Sequence, residues 1–91
     1  MNVIYSPEAI EDLRLIKKYI AKDNPTAALE TVAKIRHTAD LLGFFPLMGR
    51  EGRVEETREM LATKTYVIIY SLMNETDLMI LNVVHTSMEH P

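Results

Sequence analysis

Few residues of this chain could do proton or charge chemistry. There are three histidines, His37, His85 and His90, and no cysteine. Without cysteine there are no disulfides, no thiolate zinc sites and no thiol nucleophile. His85 and His90 are separated by a strand end and a polar tail, which fits no regular metal-ligand spacing, so neither a metal nor another cofactor is expected. His37 lies among polar neighbours in a helical stretch and reads as solvated. His85 closes a β-prone run beside Thr86-Ser87. It could act as a general acid or base, although a strand-end histidine more commonly serves as a hydrogen-bond partner.

The basic residues of the C-terminal half are Arg50, Arg53, Arg58 and Lys64. The arginines alternate with Glu51, Glu55, Glu56 and Glu59, a pattern that suits surface ion pairs better than a nucleic-acid patch. Gly49 and Gly52 read as turn residues; their spacing is not that of a phosphate-binding loop. Asn74-Glu75-Thr76 matches a glycosylation sequon that has meaning only in an exported chain. No serine, histidine and carboxylate set can be read from spacing alone.

The whole chain has 91 residues, 47% apolar and 25% charged, which suits a single folded domain over 1–91. Its net charge is -3, and residues 1–49 are neutral, so the second half carries all of it. A domain built to grip phosphates has a basic face instead. No stretch approaches the ~20 apolar residues of a membrane helix. The opening Met1-Asn2-Val3-Ile4-Tyr5 has no leader pattern, so the cytoplasm is the expected compartment.

The elements that would position these residues are legible in outline. Residues 1–5 read as a short strand. Ser6-Pro7-Glu8 starts a helix with a capping hydroxyl, a proline at its first position and an acid at the positive dipole end. Ala9, Leu13, Ile16 and Ile20 form its apolar stripe. Asn24-Pro25 starts a second helix, with Ala28, Val32, Ile35, Ala39 and Leu42 as its stripe and Gly43 as a left-handed stop. So short a turn predicts an antiparallel helix hairpin. After Phe44-Phe45-Pro46 and the 49–53 loop come three strand-like runs, 54–62, 65–72 and 78–85, the last two joined by 74–77. The fold class is α+β, with the helices on one face of a mainly antiparallel sheet.

Alternation predicts that Tyr66, Ile68, Tyr70 and Leu72 share one face of their strand, opposite Val67 and Ile69. In the last strand it groups Leu78, Ile80 and Val84 against Met79, Leu81 and Val83. Both faces are apolar, while the hairpin covers one. Either the 44–53 loop shields the second face, or that face awaits another chain.

Three segments carry a resemblance: GREGRVEETREM (49–60), YVIIY (66–70) and ILNVVHTSMEHP (80–91). With the order strand, two helices, three strands, the chain resembles the RelE/ParE superfamily of type II toxins, on the ParE side. That resemblance implies a bacterial toxin neutralised by a cognate antitoxin in a hetero-oligomer. ParE-like members inhibit DNA gyrase by protein binding and are not nucleases; RelE-like members cut mRNA on the ribosome. Position by position, it singles out Arg50, Arg53, Thr57, Arg58 and Glu59, then Tyr66 and Tyr70, then His85 and Pro91. Target or antitoxin contacts are therefore expected at Arg50, Arg53, Arg58, Tyr66, Tyr70 and His85. A RelE-like alternative would use Arg53, Arg58, Tyr70 and His85 catalytically. A third reading is a non-toxic regulatory or structural family member. The tail departs from the ParE-like pattern, with Ser87, Met88, Glu89 and His90 where arginines and an aromatic are common. The acidic balance favours the gyrase reading, without direct sequence-specific nucleic-acid binding and without a membrane.

Overall fold

The computed structural model describes residues 1–88. The chain runs β1 (Asn2–Tyr5), α1 (Pro7–Ala21), α2 (Pro25–Phe44), β2 (Arg50–Glu51), β3 (Arg58–Leu61), β4 (Tyr66–Leu72) and β5 (Asp77–His85), followed by a 3₁₀ turn over Thr86–Met88. The five strands form one sheet in the order β1-β5-β4-β3-β2. β1 lies parallel to β5, and the other pairings are antiparallel.

Both helix starts form by the expected chemistry. The Ser6 hydroxyl accepts from the Ala9 amide at 2.9 Å, and the Asn24 side chain accepts from the Ala27 amide at 3.0 Å. Ala9, Leu13 and Ile16 of α1 pack with Ile35, Ala39 and Leu42 of α2 onto Tyr66, Ile68, Tyr70, Leu78, Ile80 and Val83 of the sheet.

Three local expectations are corrected. α2 runs on through Gly43 to Phe44, and no glycine has positive φ. Gly43 serves close approach instead, because an added Cβ would lie 3.0 Å from both the Met1 carbonyl oxygen and a Val3 methyl. The run 54–62 is a strand only over Arg58–Leu61, while Arg50 and Glu51 form a two-residue edge strand opposite it. The turn between them holds Glu56 at a φ of 65°, with its carbonyl accepting from the Ser71 hydroxyl.

The third correction concerns β5. Ile69 pairs with Asn82 but Tyr70 pairs with Ile80, so Leu81 is an extra residue, a β-bulge. The bulge reverses the alternation beyond it. Val83, not Val84, therefore joins Leu78 and Ile80 in the core. β1 pairs with β5 only as far as Ile80, and the side chains of the capping Ser6 and of Asp12 in α1 take over there. The Ser6 hydroxyl donates to the Leu81 carbonyl at 2.7 Å. Asp12 accepts from the Val83 amide at 2.9 Å and from the Asn82 side chain at 3.1 Å.

Candidate functional site

Strand β4 sorts the candidate residues into two groups. At its start, Tyr66 pairs across the sheet with His85; near its end, Tyr70 pairs with Arg58. Four residues of strand separate the two groups, about 13 Å. Of the catalytic alternative, Arg58 and Tyr70 are thus strand partners, while His85 is set apart from them.

The first group borders a groove of about 840 Å³ between the turn end of the helix hairpin and the 62–65 loop. Leu15, Ile16, Tyr19, Ile20, Ala27 and Val83 supply apolar lining, and Glu30, Lys34, Lys64 and His85 supply charged or titratable groups. Tyr66 and His85 meet edge to face, their ring centroids 5.8 Å apart. The His85 Nδ1 lies 3.0 Å from the Ser87 amide and 2.8 Å from the Ser87 hydroxyl, and it accepts from the amide. The ring is therefore held in place while its edge stays exposed. Burial raises the Tyr66 phenol above its ordinary pKa, with nearby Tyr19 adding to the effect. Tyr19 and Leu15 join the site although they lie off the apolar stripe of α1, and large apolar residues on the helix face that stays exposed are the signal that marks them.

The second group is chiefly structural. Tyr70 is fully buried. Its hydroxyl accepts from the Gly49 amide at 3.0 Å and donates to the Pro46 carbonyl at 2.7 Å. Burial raises its pKa, partly offset by the Gly49 amide and by Arg58. A phenol so placed neither reaches a substrate nor supplies a phenolate at neutral pH. Arg58 donates through Nη1 to the Gly49 carbonyl at 2.7 Å, so it is not the plain surface ion pair its acidic neighbours suggested. Arg50 does form an ion pair, with the Glu59 carboxylate at 2.8 Å, but a half-buried one, since the Glu59 side chain is only 6% exposed. Arg53 and Thr57 lie in the turn between β2 and β3, where the Thr57 hydroxyl donates to the Val54 carbonyl.

The loop expected to shield the second sheet face does something else. Its Pro46 and Gly49 close over Tyr70 on the helix side. On the opposite face Val67 is nevertheless 4% exposed, beside Arg50, Glu59 and Leu61. Asn74, of the glycosylation-like triplet, turns its side-chain oxygen to the Thr76 and Asp77 amides and builds the β4–β5 turn. Among the described residues no group of three or more His, Asp or Glu could hold a metal, and no helix is long and apolar enough to cross a membrane. Glu89, His90 and Pro91 lie outside the described residues.

The overall arrangement of a helix hairpin on a mainly antiparallel sheet is shared with chains from solved toxin–antitoxin systems. A chain of the chromosomal ParDE system of P. aeruginosa superposes with a TM-score of 0.80 at 21% identity, covering 93% of this chain and 95% of that one. The Mycobacterium tuberculosis RelBE2 toxin–antitoxin complex gives 0.68 at 26% identity, covering 92% and 95%. YafQ of E. coli gives 0.67 at 18%, covering 96% and 94%. In sequence, the chain is 40% identical over 91 residues to a candidate toxin, Y4kP of Sinorhizobium fredii, spanning 99% of this chain and 93% of that protein. Residues 3–90 match the family described as ParE toxin of type II toxin-antitoxin system, parDE. The chain belongs to this ParE toxin family, within the RelE/ParE superfamily.

Proposed function

We propose that this toxin acts as a ParE-like inhibitor of DNA gyrase, binding it as one protein binds another and cutting no RNA. One observation carries the choice over a RelE-like nuclease. Tyr70 is buried with both hydroxyl bonds committed, and it lies about 13 Å along β4 from the strand position paired with His85. Phosphodiester cleavage by general acid–base catalysis needs an acid, a base and a charge stabiliser within hydrogen-bond reach of one phosphate. Protein binding needs only a complementary surface.

A cognate antitoxin is the second partner in this reading, and similarity to chains from solved toxin–antitoxin complexes supports it. The apolar groove with Tyr66 and His85 at its border has the shape to take an amphipathic segment of that antitoxin. Lys34 and Lys64 outnumber Glu30 at its border, which favours a segment that carries acidic residues. The toxin works in the cytoplasm, where gyrase is found.

The deciding experiment pairs a supercoiling assay with a translation reaction. Purified toxin should inhibit gyrase and leave translated mRNA intact, and His85→Gln should change gyrase inhibition by less than about twofold. If mRNA fragments appear with wild type and vanish with a folded His85→Gln protein, the nuclease reading replaces this one.

A further inference from the structure

His85 has one ring nitrogen that the fold uses and one that it leaves over. The Ser87 amide lies 3.0 Å from Nδ1 and can only donate, so Nδ1 must offer its lone pair. The Ser87 hydroxyl, 2.8 Å from the same nitrogen, then donates to it as well. In the neutral ring the proton is therefore on Nε2. Among the described residues nothing accepts from that N–H, although Ser87 and the edge-to-face contact with Tyr66 fix the ring. A donor held in one orientation has little side-chain freedom left to lose when an acceptor arrives.

The surroundings say what kind of acceptor suits it. Lys64 stands two residues before Tyr66, the strand partner of His85, in the turn from β3. The Thr86 amide donates to the Thr65 carbonyl at 2.7 Å and ties that turn to the end of β5. His85 and Lys64 thus border the groove from the sheet side, and Lys34 of α2 borders it from the helix side. Glu30 is the one acid among the described residues that line it. Asp12, one turn before Ile16, already accepts from the Val83 amide and the Asn82 side chain. Asp23 in the hairpin turn is outnumbered by Lys18 and Lys22 beside it. A fixed N–H donor near ammonium groups favours an acceptor that carries negative charge, a carboxylate.

We propose that His85 is a specificity-determining donor of the groove, its Nε2–H bonding a carboxylate of the antitoxin segment while Lys64 supplies the neighbouring charge. The proposal rests on the antitoxin reading of the groove, and the test keeps the two apart. The full chain is titrated with the purified protein encoded beside it, and affinity is measured for wild type and variants. Asparagine places an atom near Nδ1 and can accept from Ser87, but it has no donor at the Nε2 position. Glutamine places its amide near Nε2 and gives up the Nδ1 acceptor. His85→Asn should weaken binding by about tenfold or more, and His85→Gln should stay within about threefold of wild type. A role confined to holding the Thr86–Met88 turn predicts the reverse order, because asparagine alone keeps the Ser87 bond. Lys64→Gln should cost about threefold, and both losses should shrink as salt is raised. At mildly alkaline pH the ring 1H–15N spectrum of the free toxin should place the proton on Nε2. That proton should exchange with water more slowly in the complex.

Leu15→Ser/Tyr19→Ser reports on the groove itself and should keep the fold, since both side chains are exposed. If this variant binds the antitoxin as tightly as wild type, the groove reading falls and the role of His85 with it. If it binds weakly while His85→Asn binds at wild-type strength, or more tightly than His85→Gln, the donor role alone is overturned. A proton on Nδ1 of the free toxin overturns it too. A loss in His85→Asn that salt leaves unchanged overturns the carboxylate as acceptor.

Discussion

Tyr70 looks like a reagent in the sequence and acts as a strut in the fold. Its hydroxyl joins Gly49 and Pro46, tying the loop after α2 to the middle of the sheet. Tyr70→Phe leaves a buried amide and a part-buried carbonyl without this partner, which should cost about 1–3 kcal/mol. Urea unfolding should show that loss, while gyrase inhibition per folded molecule stays at the wild-type level. The arginines separate in the same way. Arg58→Ala removes a charged hydrogen bond to the Gly49 carbonyl and should cost about 1.5–3 kcal/mol. Arg53→Ala, in an exposed turn, should change stability by less than about 0.5 kcal/mol. Equal midpoints for the two variants would show that the Arg58–Gly49 bond contributes nothing.

Among the elements, β5 is where α1 and the sheet depend on each other most closely. The bulge at Leu81 turns Val83 into the core and sets His85 on the groove side with its strand partner Tyr66. That geometry relies on Ser6 and Asp12, which replace β1 as hydrogen-bond partners where β1 ends. Asp12→Ala should therefore cost about 1–3 kcal/mol through the orphaned Val83 amide. Amide exchange should accelerate at Val83 more than at Ile68 across the ladder. Uniform acceleration along β5 would mean that Asp12 supports the strand only through global stability.

At the scale of the whole molecule, acid should loosen the contact between the first strand and the last. The Asp77 carboxyl accepts from Asn2 and Asn74 and is held below its ordinary 3.8 by these bonds, Asn2 first. The Arg14 guanidinium holds Glu11 below 4.5 in the same sense. A carboxyl lowered in the folded state contributes stability that is complete above its unfolded pKa. That contribution disappears as pH falls through the lower folded value. Urea midpoints should thus fall below about pH 4. Asp77→Asn, which keeps the shape without the titration, should flatten part of that acid limb. An unchanged limb would assign the acid loss to other carboxyls.

Signals confined to one turn of chain were legible in the residues themselves. Ser6 and Asn24 cap their helices, and the stripes Ala9-Leu13-Ile16 and Ile35-Ala39-Leu42 face the sheet, because caps and helical periodicity involve neighbours three or four residues apart. The α+β class followed from the order of those elements, and the family resemblance from the three segments along the chain. Contacts between distant residues were not legible. Gly43 reads as a helix stop in the sequence because only the approach of Met1 and Val3, some forty residues away, shows why it must lack a Cβ. Alternation groups Val84 with Leu78 and Ile80 because it does not reveal a bulge that Ser6 and Asp12 stabilise from outside the strand. Tyr70 and His85 appeared able to share a site because residue type carries no distance. The tertiary fold set them at separate positions along β4, since strand register fixes separation and burial decides which polar atoms meet solvent.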